Sequence, residues 1–375
     1  MKYSLIITTI NVPNLLLDYA KNFSQYNHQK DVEILVIGDI KTPKETEFLV
    51  GKIRNLGISA EYFDIPKQEK WLEKFSELKK IIPYNSDNRR NIGYLLAAER
   101  GTEIIIAVDD DNYVDLSKDY LSSHSLIGQN ADFEAISDES GWFNVCSMIK
   151  FSPERKVYPR GYPYSKRFKD GKFVYNKRNG RIVINEGLWL EDPDIDSITR
   201  LTEDVKGIEI LKERLVLDGG TFSPINTQNT AFHRDILPCL YFVLMGAALD
   251  GLVIERYGDI WFGLFAKKII DHMGDFISFG NPFVVHKRNH HNLLKDLKQE
   301  FWAIMFTETL SEFLEKLQLT EKTYSKCYLE LSDKLEKFIG NNEKMNEDAK
   351  KYFADLVSAM RIWVKTCDII SKNKI

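Results

Sequence analysis

Residues 3–108 restrict this chain more than any other part, because they alternate between two hydrophobic periods. Ser4–Ile10 and Val32–Ile37 are short runs rich in Ile and Val, the mark of strands buried on both faces. Between them, Pro13 sits early in a helical segment carrying Leu15, Leu16, Tyr19, Ala20 and Phe23. Pro43 opens another helix, and Ile58–Phe63 reads as a third strand. Asn91–Arg100 is helical, with Ile92, Leu95 and Leu96 on one face; Gly101 ends it, and Glu103–Val108 is a further buried strand. This alternation predicts an α/β fold whose mainly parallel sheet is covered by helices on both sides.

The stretch from Asp115 to Val285 is less regular and rich in Gly, Pro and aromatics, a composition suited to the wall of a binding site. Cys239–Met245 and Trp261–His272 read as helices. From Asn292 onward, apolar residues recur at helical spacing in three stretches, over Leu293–Phe306, Tyr324–Phe338 and Tyr352–Cys367. The expected division is a catalytic region over 1–291 and a helical region over 292–375. Core packing explains the helical stripes; packing between subunits, and so a homo-oligomer, is the other use for them.

The triplet Asp109-Asp110-Asp111 directly follows the buried strand Glu103–Val108. Adjacent carboxylates raise one another's pKa unless a cation neutralises them. The C-terminal edge of a parallel sheet is also where open α/β folds bind ligands. A hard divalent cation, Mn²⁺ or Mg²⁺, holding a substrate diphosphate satisfies both conditions. Residues two apart on a continuing strand share a side, so Asp109 and Asp111 are the expected ligands and Asp110 points away. His286, at the end of Pro282–Val285, is the expected further ligand, with His290 and His291 as rivals; His272 reads as structural. The alternatives are a solvated acidic turn and a half-buried histidine capping a strand.

Composition narrows the partners. Fifty-one Lys+Arg against 55 Asp+Glu give a net charge of −4, without the basic surface that a general nucleic-acid binder needs. The four cysteines are scattered without paired spacing, which disfavours a zinc site or a disulfide framework. No signal peptide is visible, and the longest uncharged apolar run, Cys239–Leu249, is too short for a transmembrane helix. A cytoplasmic location is the resulting expectation.

Several blocks then carry a resemblance. Asn91–Tyr113 resembles the nucleotide-sugar-binding half of GT-A glycosyltransferases. Arg160–Arg167 (RGYPYSKR), Gly187–Leu190 (GLWL), Leu240–Gly246 (LYFVLMG) and Arg256–Trp261 (RYGDIW) resemble the plant reversibly glycosylated polypeptides, which act as UDP-arabinopyranose mutases. Asp271–Gly274 (DHMG), Cys327–Ser332 (CYLELS) and Ala359–Trp363 (AMRIW) continue that resemblance in the same order. Val36–Pro43 and Asn85–Tyr94 are more similar to a related glycosyltransferase-like branch that includes the STELLO proteins.

The resemblance implies a GT-A-like fold and roles for particular residues. Asp109–Asp111 would be the metal and diphosphate motif, with Asp110 also on the nucleotide. Thr8, Thr9 and Asn11 would cradle the nucleotide after the first strand, and Asp39 would reach its base or ribose. Asn88, Arg89 and Asn91, opening the helix before the acidic triplet, would meet the nucleotide or its phosphates. Turn closure and helix capping are the alternative uses of these residues. Arg160 and Arg167 match the two arginines of the family's RGYPFSxR segment, where the first is linked to reversible sugar attachment. A guanidinium stays protonated and is a poor nucleophile, so neutralising a departing diphosphate is the simpler role. The family's DDMW stands here as Gly258-Asp259-Ile260-Trp261, which leaves Asp259 as the expected general base or sugar ligand. Asn226, Gln228 and Asn229 could offer amides to sugar hydroxyls or form a polar turn.

Three functions follow as expectations. The first is a metal-dependent glycosyltransferase moving a sugar from a nucleoside diphosphate, most simply a UDP-sugar, to a glycan or small-molecule acceptor. The second is a nucleotide-sugar pyranose–furanose mutase, self-glycosylating or not. The third is a non-enzymatic subunit assembled through its helical tail.

Overall fold

The computed structural model describes residues 2–169 and 171–372. The N-terminal part runs β1 (Tyr3–Thr9), α1 (Leu16–Gln25), β2 (Val32–Gly38), α2 (Glu45–Asn55), β3 (Ser59–Phe63), α3 (Ile65–Leu72), α4 (Ser76–Ile81), α5 (Arg90–Glu99) and β4 (Ile104–Val108). These four strands lie side by side in the order β3-β2-β1-β4, all parallel. Every residue of β2 and β4 is buried, which is why their sequences are apolar runs rather than alternating ones; the one acid, Glu33, is met by Ser4 Oγ at 2.6 Å and Arg100 Nη1 at 2.8 Å. Gly93 sets how closely α5 approaches: a Cβ there would sit 2.4 Å from the Ile6 side chain of β1. That close contact carries the start of α5 to the C-terminal edge of the sheet.

Next come β5 (Asn112–Val114), α6 (Tyr120–Ser123), β6 (Asn130–Asp138), β7 (Ile149–Ser152), β8 (Phe173–Glu191), α7 (Ser197–Thr202), β9 (Lys206–Ile210), β10 (Arg214–Leu217) and β11 (Asn229–His233). Then β12 (Ala248–Leu249), β13 (Leu252–Val253), α8 (Gly258–Met273) and β14 (Phe276–His286) lead to α9 (Leu293–Lys316), α10 (Tyr324–Gly340) and α11 (Glu347–Lys372). The parallel expectation holds for β1–β4, but beyond β4 the sheet is mixed. β11 joins β4 and β8 antiparallel to both, and β8 pairs in parallel with β14. The middle of the chain is thus more regular than its composition suggested, because β8 and β14 are long strands interrupted by Gly, Asn and Pro.

Cys239–Met245 is not the helix its apolar run predicted. A 3₁₀ turn over Arg234–Cys239 contains Pro238, and the chain then continues without helical hydrogen bonds. Side chains and a distant carbonyl take the backbone groups instead. Phe242 N donates to Asn91 Oδ1 (2.9 Å), Asn88 Nδ2 donates to Phe242 O (2.7 Å), and Val243 N donates to Gly258 O (3.1 Å). Cys239–Val243 are buried on all sides and Leu244 and Met245 half-buried, so the run is apolar without being one face of a helix.

The three C-terminal helices pack their apolar stripes against the rest of the chain. Trp261 of α8 stacks on Phe353 of α11 with centroids 5.8 Å apart, and Trp363 donates its indole N–H to Leu237 O at 3.1 Å. Among the described residues, no helix is long and apolar enough to cross a membrane.

His124, fully buried at the end of α6, gives the fold a pH signature. Its Nδ1 meets Asn185 Nδ2 at 3.0 Å, and burial, with Arg214 nearby, lowers its pKa to about 3. The folded state holds this ring neutral, so its contribution is complete above the unfolded pKa of about 6.5 and is lost as pH falls towards 3. The slope approaches about 1.4 kcal/mol per pH unit. His124→Gln should therefore lose less stability than the unaltered protein between pH 7 and pH 5 in urea denaturation; parallel losses would refute the assignment.

Candidate nucleotide-sugar site

A cavity of about 640 Å³ opens at the C-terminal ends of β1, β2 and β4. The end of β1 supplies Thr8 and Thr9, and the loops after these strands supply Asn11, Asp39 and the acidic triplet; all of them line it. β4 stops at Val108 and the triplet forms a turn closed by Asn112 N on Asp109 O at 3.3 Å. The strand alternation that would turn Asp110 away therefore does not apply, and all three aspartates face the same cavity.

Each carboxylate has its own company. Asp109 Oδ1 accepts from Arg90 Nη2 at 2.5 Å. Asp110 Oδ2 accepts from Thr9 Oγ1 at 2.6 Å and from Asn11 Nδ2 at 3.3 Å. Asp111 Oδ2 lies 3.4 Å from His286 Nε2. Burial lifts the Asp109 pKa to about 6; Arg90 opposes the rise and Asp111 adds to it. Burial also resists ionisation of Asp111 and His286, but their mutual attraction outweighs it, lowering the Asp111 pKa and raising that of His286.

His286 reaches this turn because the end of β14 pairs with β5, placing His286 opposite Asn112. Its Nδ1 lies 2.6 Å from the Asp192 carbonyl, so Nδ1 carries the donated proton and Nε2 is turned towards Asp111. A backbone carbonyl behind a histidine is the support that metal-ligating imidazoles use. Asp109, expected as the first ligand, is instead engaged by Arg90. The donor set that fits a divalent cation is the Asp111 carboxylate with His286 Nε2. Among the described residues, no three His, Cys, Asp or Glu side chains gather closely enough to hold a metal without further ligands. His291 lines the cavity but turns to Asp296 at 3.2 Å, and His272 bonds the Glu321 carbonyl elsewhere.

At the β2 end, Asp39 accepts from Ile40 N (2.7 Å) and Ser86 N (3.1 Å), so it both closes a turn and lines the cavity. Arg89 lines it too, with its guanidinium 4.7 Å from the Tyr84 ring centroid and its Nε donating to Gln68 Oε1 at 2.8 Å. Asn88 and Asn91 do not line it; both donate to Phe242 O and anchor the Leu240–Gly246 segment. Helical spacing explains this: at the start of α5 it is Arg90, between them, that points to the strand ends. Arg90 Nη1 reaches both Thr227 O and Thr227 Oγ1 at 2.7 Å, and Arg90 Nη2 reaches Thr8 Oγ1 at 2.9 Å.

The opposite wall is built on Arg160. Its Nε and Nη2 grip Asp194 at 2.9 and 3.0 Å, and its Nη1 and Nη2 contact Asp259 at 3.1 and 2.9 Å. Nη1 also donates to the Arg256 carbonyl. All five N–H groups of Arg160 are thereby used, which leaves none for a departing diphosphate. Arg167 lies outside the cavity, where it pairs with Asp196 and stacks 3.7 Å from the Tyr164 centroid. The phosphate role expected of these two arginines does not fit their geometry.

A short loop joins the two walls. Asn226 Nδ2 donates to Asp194 Oδ2 (3.1 Å), Thr227 receives Arg90, and Gln228 O accepts from Asp109 N (3.0 Å). Asn229 turns into the core instead, between Tyr120 OH and the Pro282 carbonyl. Arg90 and Asp194 had no place in the sequence reading. The signals were present: Arg90 adjoins Arg89, and Asp194 sits in the alternating acids of Asp192-Pro193-Asp194-Ile195-Asp196.

Comparison with known proteins gives the family of the chain. The profile of the reversibly glycosylated polypeptide family matches residues 57–372. The probable UDP-arabinopyranose mutase 1 of Solanum tuberosum is 32% identical over 294 residues, covering 76% of this chain and 72% of that protein. UDP-arabinopyranose mutase 1 of Arabidopsis thaliana is 30% identical over 291 residues, covering 76% and 74%. Among solved structures, S. aureus TarS in complex with UDP-GlcNAc aligns over 97% of this chain and 82% of that one, with 15% identity and a TM-score of 0.39. Glucosyl-3-phosphoglycerate synthase of Mycobacterium tuberculosis, with Mn²⁺ and UDP-glucose, aligns over 82% and 78%, with 12% identity and a TM-score of 0.40. This chain belongs to the reversibly glycosylated polypeptide family.

Proposed function

We propose that this enzyme acts on UDP-sugars and interconverts their pyranose and furanose forms. The observation that carries the reading is the meeting of Arg160 and Asp259 with the Asp109–Asp111 turn in one cavity. Those residues come from separate segments of the chain, and relatives about 30% identical to it are named UDP-arabinopyranose mutases.

Ring interconversion asks three things of a site. The bond from the anomeric carbon to the diphosphate must break, a different sugar hydroxyl must give up its proton and bond that carbon while the old ring oxygen leaves it and takes the proton back, and the same diphosphate oxygen must return. Water must be kept out meanwhile, or hydrolysis wins. Asp39, Thr9 and Asn11 hold the nucleoside end beside the turn. Asp111 and His286 would hold a Mg²⁺ or Mn²⁺ ion, which supplies positive charge to the leaving diphosphate. Arg160 fixes Asp259 in the cavity wall, where its carboxylate accepts a sugar hydroxyl and can take its proton.

One observation favours a second reading, transfer to an acceptor. The position before Asp259, an acid in the family's DDMW, is Gly258 here. A Cβ at this position would come within 2.6 Å of Val243 O and 2.7 Å of the Phe242 ring. The wall leaves no room for a side chain here, so a sugar in this cavity meets the single carboxylate of Asp259 and lacks the second acid of the paired motif.

NMR of UDP-arabinopyranose with the protein, Mg²⁺ or Mn²⁺ and no acceptor separates the two. The expected result is a new furanose anomeric signal, slowed about 10²-fold or more in Asp111→Asn. UDP and free arabinose without any furanose form would overturn interconversion and leave transfer standing.

A further inference from the structure

Six arginines line the cavity: Arg89, Arg90, Arg160, Arg200, Arg256 and Arg288. Five have a carboxylate within ion-pair distance. Arg89 has Glu69 at 3.8 Å, Arg90 has Asp109, and Arg160 has Asp194 and Asp259. Arg256 has Glu300 at 2.9 Å, and Arg288 has Asp296 at 2.9 Å. Arg200 alone among the described cavity arginines has none. Its Nη2 donates to the Pro193 carbonyl, and its buried Nε has no partner.

The acids nearest Arg200 are already committed. Asp194 is gripped by Arg160 and Asn226, and Asp192 by Lys206 at 2.6 Å and Arg288 N at 3.3 Å. Burial, with Arg288 alongside, lowers the Arg200 pKa to about 10 against the pull of Asp194, Asp192 and Glu300. A desolvated guanidinium with unused donors and a second cation beside it is costly in the empty protein. An anion entering the cavity removes that cost.

We propose that Arg200, backed by Arg288, is the anion subsite of this cavity and binds the terminal phosphate of the nucleotide diphosphate. The proposal rests on the nucleotide-sugar reading and transfers to Arg200 the role that saturation of Arg160 and exclusion of Arg167 leave open. A planar fork with free N–H groups suits phosphate oxygens, and a lysine would offer only a point charge. An acidic group carried by the sugar is the other source of the same oxyanion chemistry, and the ligand series below separates them.

The experiment measures dissociation constants of pyrophosphate, UDP, UMP, UDP-glucose and UDP-glucuronate by calorimetry for the unaltered protein, Arg200→Met and Arg200→Lys. Apo melting temperatures are recorded for each. Arg200→Met is expected to weaken pyrophosphate, UDP and both UDP-sugars by about tenfold or more, with UMP unchanged and Arg200→Lys intermediate. Its apo melting temperature should hold or rise, because an unpaired buried charge is gone; a purely structural arginine would lower it. Equal affinities for all five ligands across the three proteins would overturn the proposal, and a loss confined to UDP-glucuronate would move the subsite to the sugar. Should UDP bind no tighter than pyrophosphate, the nucleotide reading fails, while a loss of pyrophosphate binding in Arg200→Met still supports the subsite.

Discussion

Arg160→Met should cost about 3–5 kcal/mol of stability and at least about 10²-fold in turnover of the nucleotide sugar. Arg160 is 6% exposed and satisfies Asp194 and Asp259, which are 7% exposed each. Removing the guanidinium strands two buried carboxylates, and stranding a buried charge is worse than never having the pair. Adding Asp194→Asn should restore part of the stability, because one stranded charge is neutralised, yet leave turnover low, because Asp259 remains unanchored. Urea denaturation and NMR turnover read the two effects separately. Recovery of turnover together with stability would show that Arg160 matters only to the fold.

Trp363→Ala should cost a further 3–5 kcal/mol or so, from an entirely different place. The indole is fully buried, 5.8 Å from the Tyr241 ring, and it satisfies the Leu237 carbonyl. Truncation leaves a cavity behind Leu240–Gly246 and removes one of the two hydrogen bonds to the Leu237 carbonyl, which keeps Leu240 N at 2.9 Å. That segment supplies Phe242, Val243 and Met245 to the nucleotide-sugar cavity. UDP affinity should therefore fall along with the denaturation midpoint, although Trp363 lines no part of the cavity. Ile369→Ala, at a 39% exposed position of the same helix, is the control and should stay within about 0.5 kcal/mol. Similar midpoints for the two variants would mean that α11 does not brace the wall.

The parts legible in the sequence were those where one rule dominates. β1, β2 and β4 are buried on both faces, so their apolar runs had only one reading. The acidic triplet was legible because a carboxylate cluster after a buried strand needs company. What stayed hidden depends on partners far apart in the chain. Asn88, Arg89, Arg90 and Asn91 look equivalent as letters, but the first turn of α5 sends Arg90 to the cavity and both asparagines to Phe242. Cys239–Met245 had a helical apolar content, and only its side-chain-capped backbone shows why it is not a helix. Arg160 and Arg167 sit in one motif and share a charge. Their separation comes from Asp194 and Asp196, which alternate along a loop and pull the two arginines to different places.

The loop Asn226-Thr227-Gln228 holds Asp194 with its first residue and Arg90 and Asp109 with the next two. The two walls of the cavity, its nucleotide end and its sugar end under the proposed function, are therefore fastened to the same three residues. Thermodynamic reciprocity applies to such an arrangement: whatever factor UDP contributes to the grip on a sugar, the sugar must return to UDP. Under the proposed function, substrate selection then includes a coupling term that belongs to the whole molecule presented and to neither half alone. A donor with a mismatched sugar should then be held less tightly at its nucleotide as well, well away from the atoms that differ.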